Sequence, residues 1–332
     1  MPRNRYYQGP TSDHFDGVRF FNPGQPSPAR GLGDVLRWKF GGATEKWPSS
    51  VPVTPAKPEA RIAGLRITMV GHASLLIQAA GRNILTDPVW SDRVSPVSFA
   101  GPKRVTAPGI AFDDLPPIDI VLLSHGHYDH LDIATLRRLQ AVHAPLMAMP
   151  LGNDTIVRAA VPDASCIVGD WWERLPLGDD LATTLTPANH WANRWPNDVR
   201  MALWAGHYLA TPSGSVWFVG DTGYGDGAIF PAVRARLGAP DVALIPIGAY
   251  APRWFMADQH VDPAEAVRIL CDVEARRALG IHWGSFQLTD EAREAPCIAL
   301  ASALSAAAIP ASRFVAAIPG GIYDFGATAT AA

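Results

Sequence analysis

The sequence predicts an α/β protein in which two β-sheets pack face to face with helices outside. Three observations predict it. Two strand-rich stretches are separated and followed by helical ones. The run 118–123 is continuously apolar over strand length, as in a strand buried on both faces. Of the 332 residues, 48% are hydrophobic and 18% charged, enough apolar material to offset chain entropy and exclude disorder over most of the chain. The length allows two units of about 150 residues or one large domain.

The elements follow in order. Residues 1–60 carry nine of the 30 prolines, which remove donors and break periodicity. This predicts an irregular N-terminal arm, and its aromatics, among them Phe15, Phe20, Trp38 and Phe40, predict that it packs on a body spanning 61–332. Residues 65–70 and 74–78 read as paired strands, and 83–86 as a third ending at Asp87-Pro88. After the apolar strand 118–123, residues 133–141 have helical spacing. Segments 182–186, 201–205, 216–219 and 242–246 form the second strand-rich stretch. Residues 263–276 read as a helix, with Asp262 as N-cap and Pro263 at the first helical position. Residues 278–282 and 313–317 read as closing strands. The alanine-rich stretch 295–312, bounded by Pro296 and Pro310, reads as a packed surface helix.

Charge and cysteines narrow the function classes. Lys plus Arg number 28 and Asp plus Glu 31, a net charge of -3. That total lacks the basic footprint of a nucleic-acid binder. Cys166, Cys271 and Cys297 are widely spaced and form no C-x-x-C pair, which predicts buried thiols in a reducing, cytoplasmic compartment. The first ten residues lack an apolar signal core, and no run of 18 apolar residues occurs, so neither a signal peptide nor a transmembrane span is expected.

The chemistry concentrates in Ser124-His125-Gly126-His127-Tyr128-Asp129-His130, directly after the apolar strand. Alternate residues at a strand end point the same way, so His125 and His127 can grip one ion. The chain then turns, letting Asp129 and His130 face a second ion. Imidazole and carboxylate suit zinc, and also iron or manganese. Three later strand ends offer further ligands: His190 after Thr186-Pro187, Asp221 within Gly220-Asp221-Thr222-Gly223, and His282 after Gly280-Ile281.

In this order the motifs resemble those of the metallo-β-lactamase superfamily, an αββα sandwich with a two-metal site at one edge. Longer blocks resemble one branch, the N-acylphosphatidylethanolamine-hydrolysing phospholipase D family. They are Gly71-His72-Ala73-Ser74, Leu85-Thr86-Asp87-Pro88-Val89, the segment 245–256, Gln259-His260-Val261-Asp262-Pro263 and Ile281-His282-Trp283-Gly284. The resemblance covers residues 65 to 290. It implies that His125, His127 and His190 hold one zinc ion and that Asp129, His130 and His282 hold the other. Asp221 and a water or hydroxide would bridge the two. Asp87 is expected behind a ligand histidine, holding its other nitrogen, a role compatible with a simple turn before Pro88.

The resemblance further implies a phosphodiester substrate with a lipid part, attacked at phosphorus without a serine or cysteine nucleophile. No Gly-x-Ser-x-Gly elbow is present. Gln259 and His260 are expected to orient the phosphodiester or a leaving oxygen, or else simply to lead into the helix at Pro263. Arg253 could pair with a phosphate oxygen or make a surface ion pair. Tyr128 could wall the site or simply pack, and Trp254 could line a groove for acyl chains, sit at a lipid interface or pack in the core. A lactonase or small-molecule phosphodiesterase on the same site is the alternative enzyme; an oxygen-using iron site and a non-catalytic metal-binding module are the others. A bilayer substrate would imply peripheral membrane contact, and a homodimer is compatible with the sequence. His72, His143 and His207 read as structural, and His14 has no visible partner.

Overall fold

The computed structural model describes residues 3–25, 31–178 and 180–325. Pro2, Pro26 and Pro28 of the predicted arm, and residues 326–332 of the predicted body, lie outside the described residues. In chain order the first half comprises α1 (Leu32–Gly41), β1 (Leu65–Gly71), β2 (Ser74–Ala79), β3 (Arg82–Thr86), β4 (Ile120–Leu122), α2 (Ile133–His143), β5 (Leu146–Pro150), α3 (Asn153–Ala160) and β6 (Ser165–Gly169). The second half runs through β7 (Arg174–Pro176), β8 (Ala182–Thr186), β9 (Gly206–Thr211), β10 (Gly214–Phe218), α4 (Ile229–Leu237) and β11 (Val242–Pro246). It closes with α5 (Arg253–Met256), α6 (Pro263–Asp272), β12 (Arg277–Ile281), α7 (Ala295–Ala306), β13 (Phe314–Ala316) and β14 (Ile322–Asp324).

Two seven-stranded sheets result, ordered β14-β1-β2-β3-β4-β5-β6 and β13-β12-β11-β10-β9-β8-β7. Each has an antiparallel part and a parallel part, the latter from β3 to β6 or from β10 to β13. Parallel neighbours need crossovers; helices supply all of them except that from β3 to β4, which runs through the long segment 87–119. Alternation along the strands sorts side chains to the two faces. Leu75 and Ile77 of β2 meet Val216 and Phe218 of β10 and Leu244 of β11 in the core between the sheets. Leu76 and Val121 turn outward against Leu136 and Leu139 of α2. Trp217, Ala243 and Ile245 turn outward against Phe230 of α4, Leu270 of α6 and Leu300 of α7. The architecture is therefore helices, sheet, sheet, helices.

Several expectations shift. The segment 201–205 is not a strand. Its apolar residues are buried, but Leu203 N–H donates to the Leu151 carbonyl and Ala205 N–H to that of Ser124, so its backbone bonds tie it to loops of the other half. The strand of this stretch is β9, which follows it. The helix predicted to reach 276 ends at Asp272, because Glu274 takes a left-handed φ of 52° before β12. The alanine-rich helix ends at Ala306. The arm contains a helix, α1, that proline content obscured. Elsewhere the arm lies on the body: Phe15 and Phe20 are buried with Ala188, Ala192 and Trp204. His14 bonds Asp13 and Asp170 and stacks on Trp171.

Candidate metal centre

The ends of β1, β3, β4, β8, β10 and β12 meet at one edge of the sandwich. Each is followed by a titratable residue: His72, Asp87, His125, His190, Asp221 and His282. His72, Asp87 and His282 adopt positive φ of 58°, 30° and 61°. Left-handed backbone at non-glycine residues costs energy and is held only where packing demands it. Here it turns the chain sharply off each strand so that the side chain points into the shared edge.

Two clusters form. His125 Nε2 lies 2.9 Å from His127 Nδ1, and His190 Nε2 lies 3.3 Å from the same atom. His130 Nε2 and His282 Nε2 are 3.2 Å apart, each 3.4 Å from Asp129 Oδ2. Asp221 Oδ2 stands between the clusters, 3.1 Å from His130 and His282, 3.8 Å from His190 and 4.0 Å from His125. All seven residues expected as ligands are thus brought together. The donor atoms of His125, His127 and His190 lie within 4.8 Å of one another, as do those of Asp129, His130 and His282 together with His72.

The donor set fits a cation. The far nitrogens of three rings already have partners. His130 Nδ1 is 2.6 Å from Asp87 Oδ2, and His190 Nδ1 is 3.0 Å from the Gln259 carbonyl. Ser124 Oγ donates to Asp87, so it accepts from His125 Nδ1 at 2.9 Å. Neutral imidazole has one proton, and these partners hold it on the far side. On His125 and His190, which burial keeps neutral, the facing nitrogens are then lone pairs turned into the site, as a bound cation requires. Asp87, fully buried, is the hub: it holds His130 directly and His125 through Ser124.

Charges in the metal-free site follow from burial and neighbours. Burial keeps His125 and His190 neutral, their pKa well below the usual value, and lowers His127 and His260 to about 4. Against burial, His130 holds Asp129 and Asp221 well below the carboxylate range. Also against burial, Asp221 raises His130 well above the usual value and His282 to about 9.

The other expected residues divide. His260 is in the site, its ring 5.2 Å from His190 and 5.4 Å from His282, and its Nδ1 is buried without a partner. Gln259 is turned away: its amide oxygen accepts from Trp191 Nε1, and its amide nitrogen faces Met256 Sδ. Its backbone carbonyl does the work of fixing His190. The Arg253 guanidinium is engaged by Glu265 at 2.7 Å and by the His260 carbonyl at 2.6 Å. It braces the loop before α6. Tyr128 donates to the Arg194 carbonyl, with the Arg194 guanidinium 4.1 Å over its ring. Trp254 is 41% exposed beneath Arg37.

Three further residues touch the site. His72 bonds Asp129 at 2.9 Å. Asn22 of the arm donates to the His190 carbonyl at 2.9 Å. Trp191 packs edge-on against His127 with ring centroids 5.0 Å apart. The sequence marks Trp191 as a tryptophan beside an expected ligand, whereas His72, between two predicted strands, reads as structural and Asn22 shows no link to the site.

Fold and site find counterparts among known proteins. Residues 82–283 match the Beta-lactamase superfamily domain. The chain belongs to the beta-lactamase superfamily. Within that superfamily it is 38% identical over 233 residues to N-acyl-phosphatidylethanolamine-hydrolyzing phospholipase D 1 of Caenorhabditis elegans, covering 68% of this chain and 65% of the worm protein. It is 30% identical over 230 residues to a metal-dependent hydrolase of Pyrobaculum calidifontis, covering 68% of this chain and 86% of the archaeal one. This superfamily member therefore stands among metal-dependent hydrolases. The chain spans less than two thirds of the length of the first curated relatives it matches. The isothiocyanate hydrolase from Delia radicum gut bacteria shares its beta-lactamase fold with a TM-score of 0.61 at 20% identity, over 79% of this chain and 100% of that one.

Proposed function

We propose that this chain is a metal-dependent phosphodiesterase of the phospholipase D type, acting on an N-acyl phosphatidylethanolamine-like lipid. The observation that carries the reading is the pair of buried histidine clusters joined by Asp221 Oδ2. The likeness to the worm phospholipase D supports the substrate class. His125, His127 and His190 would hold one ion; Asp129, His130 and His282 the other; Asp221 both. The donors suit zinc, with iron or manganese distinguished by metal analysis of the purified protein. When bound, the ions supply a water acidified for attack and neutralise charge on phosphate oxygens.

The chain's own residues supply orientation. Asp87 and the Gln259 carbonyl fix the ring protons of His130 and His190 on their far sides. His260 Nδ1, unpartnered and 3.9 Å from Asp221 Oδ2, is placed to hydrogen-bond a substrate oxygen. Trp191 and Tyr128 wall the approach. The reaction replaces the phosphorus–oxygen bond to the alcohol with one from water, giving a phosphatidic acid and an N-acylethanolamine. A bilayer substrate calls for peripheral contact. Exposed apolar side chains, Phe40 at 85%, Phe99 at 81% and Trp254, support it. Among the described residues no helix is long and apolar enough to cross a membrane.

The test is zinc-loaded turnover of an N-acyl phosphatidylethanolamine in mixed micelles and of a soluble aryl phosphodiester, wild type against Asp221→Asn. Lipid turnover that falls by about 10²-fold or more in the variant is expected. Turnover of the soluble ester alone would move the substrate to a small molecule, with lactones next. Turnover untouched by Asp221→Asn would overturn the mechanism.

A further inference from the structure

We infer that His72 is a positioning residue for the Asp129 carboxylate, and that it sets the affinity of the ion held by Asp129, His130 and His282. The inference rests on the two-metal reading above. His72 is 1% exposed. Its Nε2 lies 2.9 Å from Asp129 Oδ2, closer than the 3.4 Å of His130 Nε2 or His282 Nε2. Its Nδ1 is buried with no hydrogen-bond partner. A neutral imidazole has one proton, and only Nε2 faces an acceptor, so the proton belongs on Nε2 and points at Asp129. A nitrogen carrying that proton cannot also bind a metal ion.

The surroundings hold His72 to this one task. Its backbone N–H donates to Ser285 Oγ at 3.0 Å, and its carbonyl accepts from His282 N–H at 2.8 Å. Its ring lies against that of His282, with centroids 3.9 Å apart, and edge-on to Phe286 at 5.3 Å. The backbone is left-handed, at φ 58°. Ring and backbone are therefore fixed from both sides, and the Nε2 proton has one direction. That donor, the nearest of the three nitrogens around Asp129 Oδ2, opposes rotation of the carboxylate about its Cβ–Cγ bond. Asp87 does the same for His130 from the other side of the centre. Donors of this kind change metal affinity by about 10- to 100-fold.

The test is a zinc titration of metal-free protein against a chromophoric chelator, with wild type, His72→Phe and His72→Gln, and cobalt spectra at saturation. Phe keeps the volume and loses the donor; Gln places an amide N–H near Nε2. The expected result is two ions in all three proteins, one of them bound 10- to 100-fold more weakly by His72→Phe, with most of the loss recovered in His72→Gln. The cobalt spectra should coincide. Should His72→Phe fail to fold, His72→Asn suits left-handed backbone but its amide is too short to reach Asp129, and it should show the same loss. Unchanged affinity in His72→Phe would overturn the inference while leaving the two-metal reading intact. One ion and an altered cobalt spectrum would make His72 a ligand and overturn it as well. A wild type that binds no metal would overturn both readings.

Discussion

Asp87 illustrates how much of the centre depends on side chains that need never touch an ion. It accepts from His130 Nδ1, from the Ser124 backbone N–H at 2.7 Å and from Ser124 Oγ, in full burial. Removing one partner of a buried, hydrogen-bonded pair strands the other, which costs about 3–5 kcal/mol. Asp87→Ala should therefore lower the denaturation midpoint of the metal-free protein by that equivalent. It should also weaken metal binding 10- to 100-fold by releasing His130 and the Ser124 relay. Denaturant titration with a chelator assay on the same sample checks both; a variant that keeps full stability would contradict the hub role. The candidate ligands that the structure brings together were legible because H-x-H-x-D-H compresses four of them into six positions. His72 was not, since a lone histidine at a strand end looks like any buried one until Asp129 is seen 2.9 Å away.

Local chemistry at the element scale was legible where it was written into adjacent residues. Helix α6 begins where Asp262-Pro263 places it, and the Asp262 carboxylate accepts from Glu265 N–H while Glu265 reaches back to the Asp262 N–H. Asp262→Ala should cost about 0.5–2 kcal/mol by denaturant unfolding. It should also loosen Arg253, which lies 3.6 Å from Asp262 and holds the His260 carbonyl. Loss of stability below that range would show that the Glu265–Arg253 pair suffices as a cap. Elements defined by distant partners were not legible. The segment 201–205 is as apolar as a strand, but its backbone finds acceptors on Leu151 and Ser124. Helix α1 starts at Gly31, which offers no side-chain cap, and stands in proline-rich surroundings. Strands β5 and β6 and helix α3 also went unread.

The whole molecule carries a pH signature of its centre. His282, raised to about 9 by Asp221 despite burial, contributes stability below the unfolded histidine value of about 6.5. That contribution is lost as pH rises through about 9. His127 and His260, lowered to about 4 by burial, act oppositely: they destabilise the fold as pH falls from about 6.5 through 4. Metal-free protein should be most stable near pH 6.5 and lose melting temperature on both sides. Metal-loaded protein should keep its stability through pH 9, since deprotonated imidazoles are the ligands. Melting curves from pH 5 to 9, with and without chelator, check this; coincident alkaline limbs would contradict it. The fold class was legible at this scale too, through two strand-rich stretches separated and followed by helical ones; the sorting of Val216 and Phe218 inward and Trp217 outward is seen in the structure. The bracing of His190 by Asn22 was not, because nothing in either neighbourhood points across 168 positions.

That long reach has a consequence in time. His130 and His282 are 152 residues apart. A ribosome adding about 5–20 residues each second needs roughly 8–30 s to cover that interval. Until then the growing chain exposes His125, His127, Asp129 and His130 without the strand end that completes their site. The complete donor set therefore cannot form until β12 has been made, and the arm, made before the His190 loop, waits for that loop before it has anything to brace.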